Sequence, residues 1–300
     1  MPYNCFTAML NIARDGATII RQSLAYMKYR RHVGTVFRGR GGIRYVIDDR
    51  FAMDMHIVAH GIYDDWIAQE LSCLIPKEGV VIDIGANVGH LSLPFAMLHV
   101  TEGRVFAVEP DDRNYNKLLT NIAANHIDNI AAFRVAFQED PTTVESTFFV
   151  ASQRGLFGIE NTGVSSLHKD VDETIATVTV PATTLDRFII EHNITRLDFV
   201  KLDVEGAEHR VLCGGLSSIR TYRPCILYEY SHLLEKKFHN TNSRQAFYLL
   251  QSLGYRQFQI VGERRFRELT DCDDSISLAN VLCLHPSCFC AERVKTITGI

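Results

Sequence analysis

Four acidic positions in this chain close or follow short apolar runs, which is where a folded sheet would present chemistry: Asp83, Glu109, Asp203 with Glu205, and Glu229 with His232. The first lies in the most informative stretch, Val80-Val81-Ile82-Asp83-Ile84-Gly85-Ala86-Asn87-Val88-Gly89. Val80 to Ile84 has the length and β-branching of a buried parallel strand. Gly85 and Gly89 let the backbone turn tightly and approach a ligand, and Val88 to Val100 predicts a helix whose N-terminus points at it. The unit reads as a nucleotide-cofactor loop. A dinucleotide fingerprint would place a glycine where Asn87 stands, to admit a pyrophosphate. Asp83, ahead of the first glycine, would face that anion. A carboxylate there suits a ligand with an ammonium group, such as the methionyl part of S-adenosylmethionine. Glu109 ends a second apolar run, Arg104 to Val108, just before Pro110. An acid closing the second strand can accept hydrogen bonds from both hydroxyls of a ribose.

These side chains need elements that hold them in register. From Val80 onward apolar strands alternate with helical patterns, which implies a parallel sheet covered on both faces. The expected strands are 80–84, 104–109, 131–136, 198–203, 225–230, 255–261 and 279–285, with helices near 88–99, 112–125, 208–220 and 243–253. No helical pattern separates the last two strands, so they are expected to pair as an antiparallel hairpin at one edge. Gln138 to Ile194 is too long for a simple connection; its glycines and the alternating stretch Thr174 to Val180 predict an inserted flap with a short hairpin over the cofactor edge.

Ligands of an open α/β sheet bind beyond the carboxyl ends of its strands, so four strands deliver acids to one edge. Stability alone gives no reason to gather like charges. With Asp83 and Glu109 assigned to the cofactor, Asp203 is the first candidate to orient an acceptor or take its proton. His232 follows, its natural pKa lying near neutrality, with an exposed loop histidine as the open alternative; Glu229 completes the expected catalytic set. Lys201, two residues before Asp203, shares its facing direction and is expected to neutralise the acids. Glu208 is expected only to begin a helix. Asp203 and Glu229 are ligand types that suit Mg²⁺, but no acid-amide pair follows the fifth strand, and no metal ligand is assigned. Cys283, His285, Cys288 and Cys290 match no standard structural zinc spacing and read as buried thiols plus a tail.

Further segments join these: Asp111 after Glu109-Pro110, then Leu118, Asn121 and Asn125, Thr184-Leu185-Asp186, the block Asp198 to Glu208, and Arg223-Pro224 ahead of Tyr228-Glu229. On these residues the chain resembles the FkbM-type family of S-adenosylmethionine-dependent methyltransferases, from about Gly61 to Pro286. The resemblance implies a class I methyltransferase fold: a Rossmann-like, seven-stranded, mostly parallel sheet with helices on both faces and an antiparallel edge hairpin. It implies S-adenosylmethionine as cofactor and O-methylation of a hydroxyl on a small natural product or sugar. Asp83, Gly85, Asn87 and Gly89 would hold the methionyl end and Glu109 the ribose, with Ala86, Pro110 and Ala136 completing the cofactor set. Transfer to oxygen needs a positioned hydroxyl, which supplies most of the acceleration, and a base worth typically ~10²–10⁴-fold. The expected organisation is a basic appendage over 1–60, a methyltransferase domain over 61–290 carrying the flap at 138–194, and a tail over 291–300.

The 300 residues, 46% apolar, can bury one large core plus an appendage. No apolar run reaches the length of a membrane span, and the basic cluster follows the apolar N-terminal stretch, the reverse of a signal peptide. Eight scattered cysteines suit free thiols in a reducing cytosol. A cytoplasmic location is therefore expected, and the sequon Asn193-Ile194-Thr195 is read as chance. A net charge of −4 argues against nucleic acid as a partner; a small-molecule acceptor is expected. Residues 1–50 hold nine Lys/Arg against three Asp/Glu, a net of +6, leaving 22 against 32, or −10, for the rest. Phe6, Leu10, Ala13, Ala17, Ile20, Leu24 and Met27 form one stripe of an amphipathic helix. That helix is expected to pack on the domain with basic residues at its C-terminal end; contact of residues 1–45 with a membrane surface or partner is the alternative. Residues 35–60 predict a short hairpin leading into a helix near Asp64 to Leu74. Two rival functions stay open: a nicotinamide-dependent oxidoreductase, and an inactive cofactor-binding partner protein that docks through its N-terminal helix.

Overall fold

Val80–Ile84 (β1), Arg104–Val108 (β2), Ile130–Phe133 (β3), Phe199–Leu202 (β4) and Cys225–Tyr230 (β5) are short, largely buried strands that pair in parallel. Successive residues enter two cores: Ile82, Val108 and Val200 one, Val81, Val105 and Phe199 the other. Strands buried on both faces need no polar alternation, hence their continuous apolar runs. Arg256–Gly262 (β6), Arg265–Leu269 (β7) and Ala279–Leu284 (β8) complete an eight-stranded sheet in the order β7-β6-β8-β5-β4-β1-β2-β3. Leu118 of helix Asp112–Asn125 packs into one core, and Val211, Ile219 and Phe247 of helices Glu208–Cys213, Leu216–Tyr222 and Ser243–Ser252 into the other. The result is the expected α/β class, with helices on both faces. This computed structural model describes residues 16–48, 51–62, 74–151, 153–154, 160–161, 165–167, 174–230, 243–262, 265–273, 276 and 278–288.

Several elements differ from expectation. β6 and β8 do pair antiparallel, but β8 lies between β5 and β6, and an unexpected eighth strand, β7, forms the edge. Its charged sequence reads as a connection, yet Arg256 Nε meets Glu268 at 2.7 Å across the pair, and charge on an edge strand discourages further pairing. The helix expected over 88–99 starts later, because Gly89 keeps the chain turning at φ +87°. One α turn, Ser92–Pro94, runs straight into a π turn, Phe95–His99; Pro94 removes a helical donor there. The third strand stops at Phe133, and Ala136–Phe137 leaves the sheet to pair with Ala182 and Thr183. Glu145–Ala151 and Thr174–Thr183 pair antiparallel beside it, giving residues 138–194 a small sheet of their own.

At the N-terminus, helices Gly16–Arg30 and Ala52–His60 pack together beside the antiparallel hairpin Val36–Arg38/Arg44–Val46. The hairpin is as expected; the second helix is not. Two residues of the expected apolar stripe do not face inward, Leu24 and Met27 being 57% and 51% exposed, while Tyr29 is buried with its hydroxyl donating to Asp48 O at 2.7 Å. A tyrosine brings a large apolar ring and a donor that finds a backbone acceptor, so it takes the inner face. Phe6, Leu10, Ala13, the side chains of Ala17 and Ile20, and the helix expected near Asp64 fall outside what the structure describes. Tyr29, Ile43, Tyr45, Met55 and Ile57 build a satellite core closed by Leu93. Among the described cysteines, Cys213, Cys272, Cys283 and Cys288 are free, but Cys225, buried at the start of β5, is disulfide-bonded. That departs from the free thiols expected of a reducing compartment. No helix of the described residues is long and apolar enough to cross a membrane.

Candidate active site

β1 and β4 lie side by side where the strand order reverses, the switch point at which open α/β sheets bind ligands. Beyond Ile84 the chain turns at Gly85 with φ +82°, and a Cβ there would sit 1.8 Å from the carbonyl oxygen of Asp203. Only a glycine lets the two strand ends touch through backbone. Four of the loop amides are engaged internally. Gly85 and Ala86 both donate to Val108 O at 2.9 Å, Asn87 to Glu109 Oε2 at 2.8 Å, and Gly89 to Ala86 O at 2.9 Å. A phosphate cradle needs such N–H groups aimed at the anion, so this loop is not built as one.

It offers acceptors instead. Asp83 Oδ1 and Asn87 Oδ1 are buried and have no hydrogen-bond partner among the described residues. Buried unpaired acceptors are costly, and a ligand presenting an ammonium or N–H group would satisfy them. The other oxygen of Asp83 accepts from Ser92 Oγ at 2.5 Å. Ser92 is a site residue that sequence reasoning missed; a hydroxyl three residues past Gly89 was the available signal. Burial pushes the Asp83 carboxyl up, against the pull of Lys201.

Glu109 is buried, and both of its oxygens accept backbone N–H groups, Oε2 from Asn87 and Oε1 from Asp111, each at 2.8 Å. Burial, with repulsion from Asp111, raises its pKa to about 8. The buried Asn114, another residue without a clear sequence signal, also hydrogen-bonds it. Pro110 is half-buried beside it. Asp111 caps helix Asp112–Asn125 through Arg113 N at 2.9 Å and accepts from Ser165 Oγ at 3.0 Å. Ala136 is buried but lies on the small sheet past β3 and not at the end of that strand.

Lys201 is the register partner of Asp83 and is 4% exposed at its side chain, with Nζ 2.8 Å from Asp203 Oδ2. Burial pulls its pKa down, yet Asp203 and Asp83 outweigh that and the balance is upward. Asp203, Glu205 and Glu229 each bring a carboxylate oxygen within 4.8 Å of the others. Such an array can accept several hydroxyl groups, and its hard oxygens are of the kind that hold a divalent cation. Burial, with repulsion from Asp203, Glu205 and Glu208, pushes Glu229 well above the carboxylate range. Glu208 opens its helix as expected, and its Oε1 accepts from the amides of Val204 (3.1 Å) and Gly206 (3.3 Å). Ser166 Oγ donates to Glu205 O at 2.9 Å, which ties the 138–194 segment to this mouth. His232 falls outside the described residues. His90, buried beyond Gly89 and absent from the expected set, is held neutral by burial and by the charge of Lys201, which lower its pKa to about 3.

Five parallel strands followed by an antiparallel β8 inserted between β5 and β6, with an acid before the glycine turn and another closing the second strand, make up a class I methyltransferase fold. A model of the methyltransferase FkbM domain matches residues 83–257, and the chain belongs to that family. The match places the chain in a methyltransferase family. Similar solved structures include the methyltransferase FkbM from Methylobacillus flagellatus KT, at 15% identity and a TM-score of 0.45, covering 90% of this chain and 60% of its own. The METTL16 MTase domain has 13% identity and a TM-score of 0.46, covering 93% of this chain and 98% of its own. P. horikoshii TYW2 in complex with MeSAdo has 14% identity and a TM-score of 0.38, covering 84% and 70%. This chain thus spans 60% of the length of the Methylobacillus protein. No curated protein matches the sequence.

Proposed function

We propose that this chain is an S-adenosylmethionine-dependent methyltransferase that acts on oxygen, methylating a hydroxyl of a small natural product or sugar. The observation that carries the reading is the array of Asp203, Glu205 and Glu229, with the buried cation of Lys201 beside it. Carboxylates accept hydrogen bonds from hydroxyls, and three at one mouth suit a polyol while repelling a phosphodiester chain. The cofactor, when bound, supplies an electrophilic methyl group on a sulfonium. In this reading the unpaired oxygens of Asp83 and Asn87 receive its ammonium group. Glu109 accepts from the ribose hydroxyls with its remaining lone pairs, and Gly85, Ala86, Gly89, Pro110 and Ala136 form the walls. Asp203 orients the acceptor hydroxyl and takes its proton, its Oδ2 steadied by Lys201. Glu229 binds a neighbouring hydroxyl, and His232 remains the second candidate base. Residues 61–290 form the catalytic unit, with 138–194 as its flap. The engaged amides of Gly85, Ala86, Asn87 and Gly89 speak against the nicotinamide alternative, which needs such groups for a pyrophosphate.

Calorimetry with S-adenosylhomocysteine, and methyl-labelled cofactor offered to a panel of sugars and small polyols, test the assignment. Asp83→Asn is expected to lose S-adenosylhomocysteine affinity. Asp203→Asn is expected to keep that affinity and lose about 10²-fold or more in methyl transfer. Binding of NAD in place of S-adenosylhomocysteine, or wild-type turnover by Asp203→Asn, would overturn it.

A further inference from the structure

We infer that Asn121 is a positioning residue that couples the N-terminal hairpin to the cofactor loop, so that the appendage is a working part of the cofactor site and not a detachable docking element. Helix Asp112–Asn125 turns Lys117, Asn121 and Asn125, spaced one helical turn apart, toward the strand Arg44–Val46. Asn125 closes on Arg44 with both ends of its amide: Arg44 N donates to Oδ1 and Nδ2 donates to Arg44 O, each at 2.7 Å. Lys117 Nζ donates to Val46 O and, at 2.9 Å, to Asp54 Oδ2. Val46 N donates to Asn121 Oδ1 at 2.9 Å. A helix face thus stands in for a strand partner along the hairpin edge.

Asn121 differs from its two neighbours in also hydrogen-bonding the cofactor loop. Its Nδ2 donates to Val88 O at 2.9 Å, inside the loop between Asn87 and Gly89, and the residue is fully buried. An amide carries one acceptor and one donor group, so with the hairpin on the oxygen and the loop on the nitrogen its orientation is set by its partners. The side chain therefore satisfies two buried backbone groups that lie far apart in the chain. Among the described residues, Lys117 and Asn125 hold the hairpin and make no hydrogen bond to the loop. Loss of Nδ2 would leave Val88 O buried without its donor and release the loop next to Asn87. A misplacement of about an ångström in such a shell is enough to cost binding or turnover.

The inference rests on the cofactor reading above, and calorimetry with S-adenosylhomocysteine on the full chain, paired with thermal unfolding, separates the two. Asn121→Ala and Asn125→Ala are both expected to lower the unfolding midpoint. Only Asn121→Ala should weaken S-adenosylhomocysteine, by about tenfold, the loss that goes with one buried hydrogen bond; Asn125→Ala should stay within about twofold. Should Asn121→Ala not fold, Asn121→Asp takes its place, keeping the acceptor for Val46 while removing the donor to Val88. Equal affinity losses for the 121 and 125 variants, or none at 121, would overturn the coupling. A wild-type chain that binds no S-adenosylhomocysteine would instead sink the cofactor reading itself.

Discussion

Replacing Lys201 by methionine removes a buried cation from among the site carboxylates while keeping most of the side-chain volume. Its Nζ lies 2.8 Å from Asp203 Oδ2, and Asp83 is its register partner on β1. Breaking a buried ion pair by removing one partner costs about 3–5 kcal/mol. Asp203 is 33% exposed, and solvent screening there lowers the expectation to about 2–3 kcal/mol. The loss should depend on pH. Asp83 and Glu229 already have raised pKa values, and without Lys201 both would rise further. A carboxyl whose folded pKa is raised contributes stability below its unfolded value and loses it as pH rises through the folded value. The variant should therefore lie nearest to wild type at about pH 4 and farthest from it at about pH 8. Urea unfolding across that range measures the difference, and adding Asp203→Asn should recover part of the loss. A destabilisation under about 1 kcal/mol near neutrality, or one flat with pH, would refute the view that Lys201 holds the acidic mouth together.

Two further outcomes follow from the same geometry. Gly85→Ala places a Cβ 1.8 Å from Asp203 O at φ +82°; strain of about 1–3 kcal/mol plus displacement of the loop should lower both the unfolding midpoint and S-adenosylhomocysteine affinity, and a wild-type midpoint would contradict the close approach. For Glu109 the folded pKa of about 8 lies above its ordinary 4.5, so the ligand-free protein should lose stability as pH rises between those values. Glu109→Gln should flatten that slope in unfolding experiments, and an unchanged slope would show that the carboxyl is already ionised in the fold.

Much of the sheet could be read from local pattern. Strand periodicity and the spacing from Asp83 to Glu109 are properties of neighbouring residues, and β1, β2, β4 and β5 fall where the apolar runs lie. The pairing of Lys201 with Asp203 was legible for the same reason, since residues two apart on a strand share a face. Glu208 opening a helix was equally local. The charged strand β7 was not legible, because its strand character comes from the ladder with β6. Nor was the inward turn of Tyr29 at the expense of Leu24 and Met27, which depends on a backbone acceptor at Asp48.

The sequence by itself determined the glycine turn with its acids, the strand-helix alternation and the class of fold. Tertiary structure alone decided that β8 would enter between β5 and β6, that the loop amides would be engaged by Val108 and Glu109, and that Asn121 would join Val46 to Val88. The physical reason is range. Periodicity and turn chemistry act over a few residues, whereas a buried amide or carboxylate takes whichever partner the packed chain brings within about 3 Å, however distant in sequence.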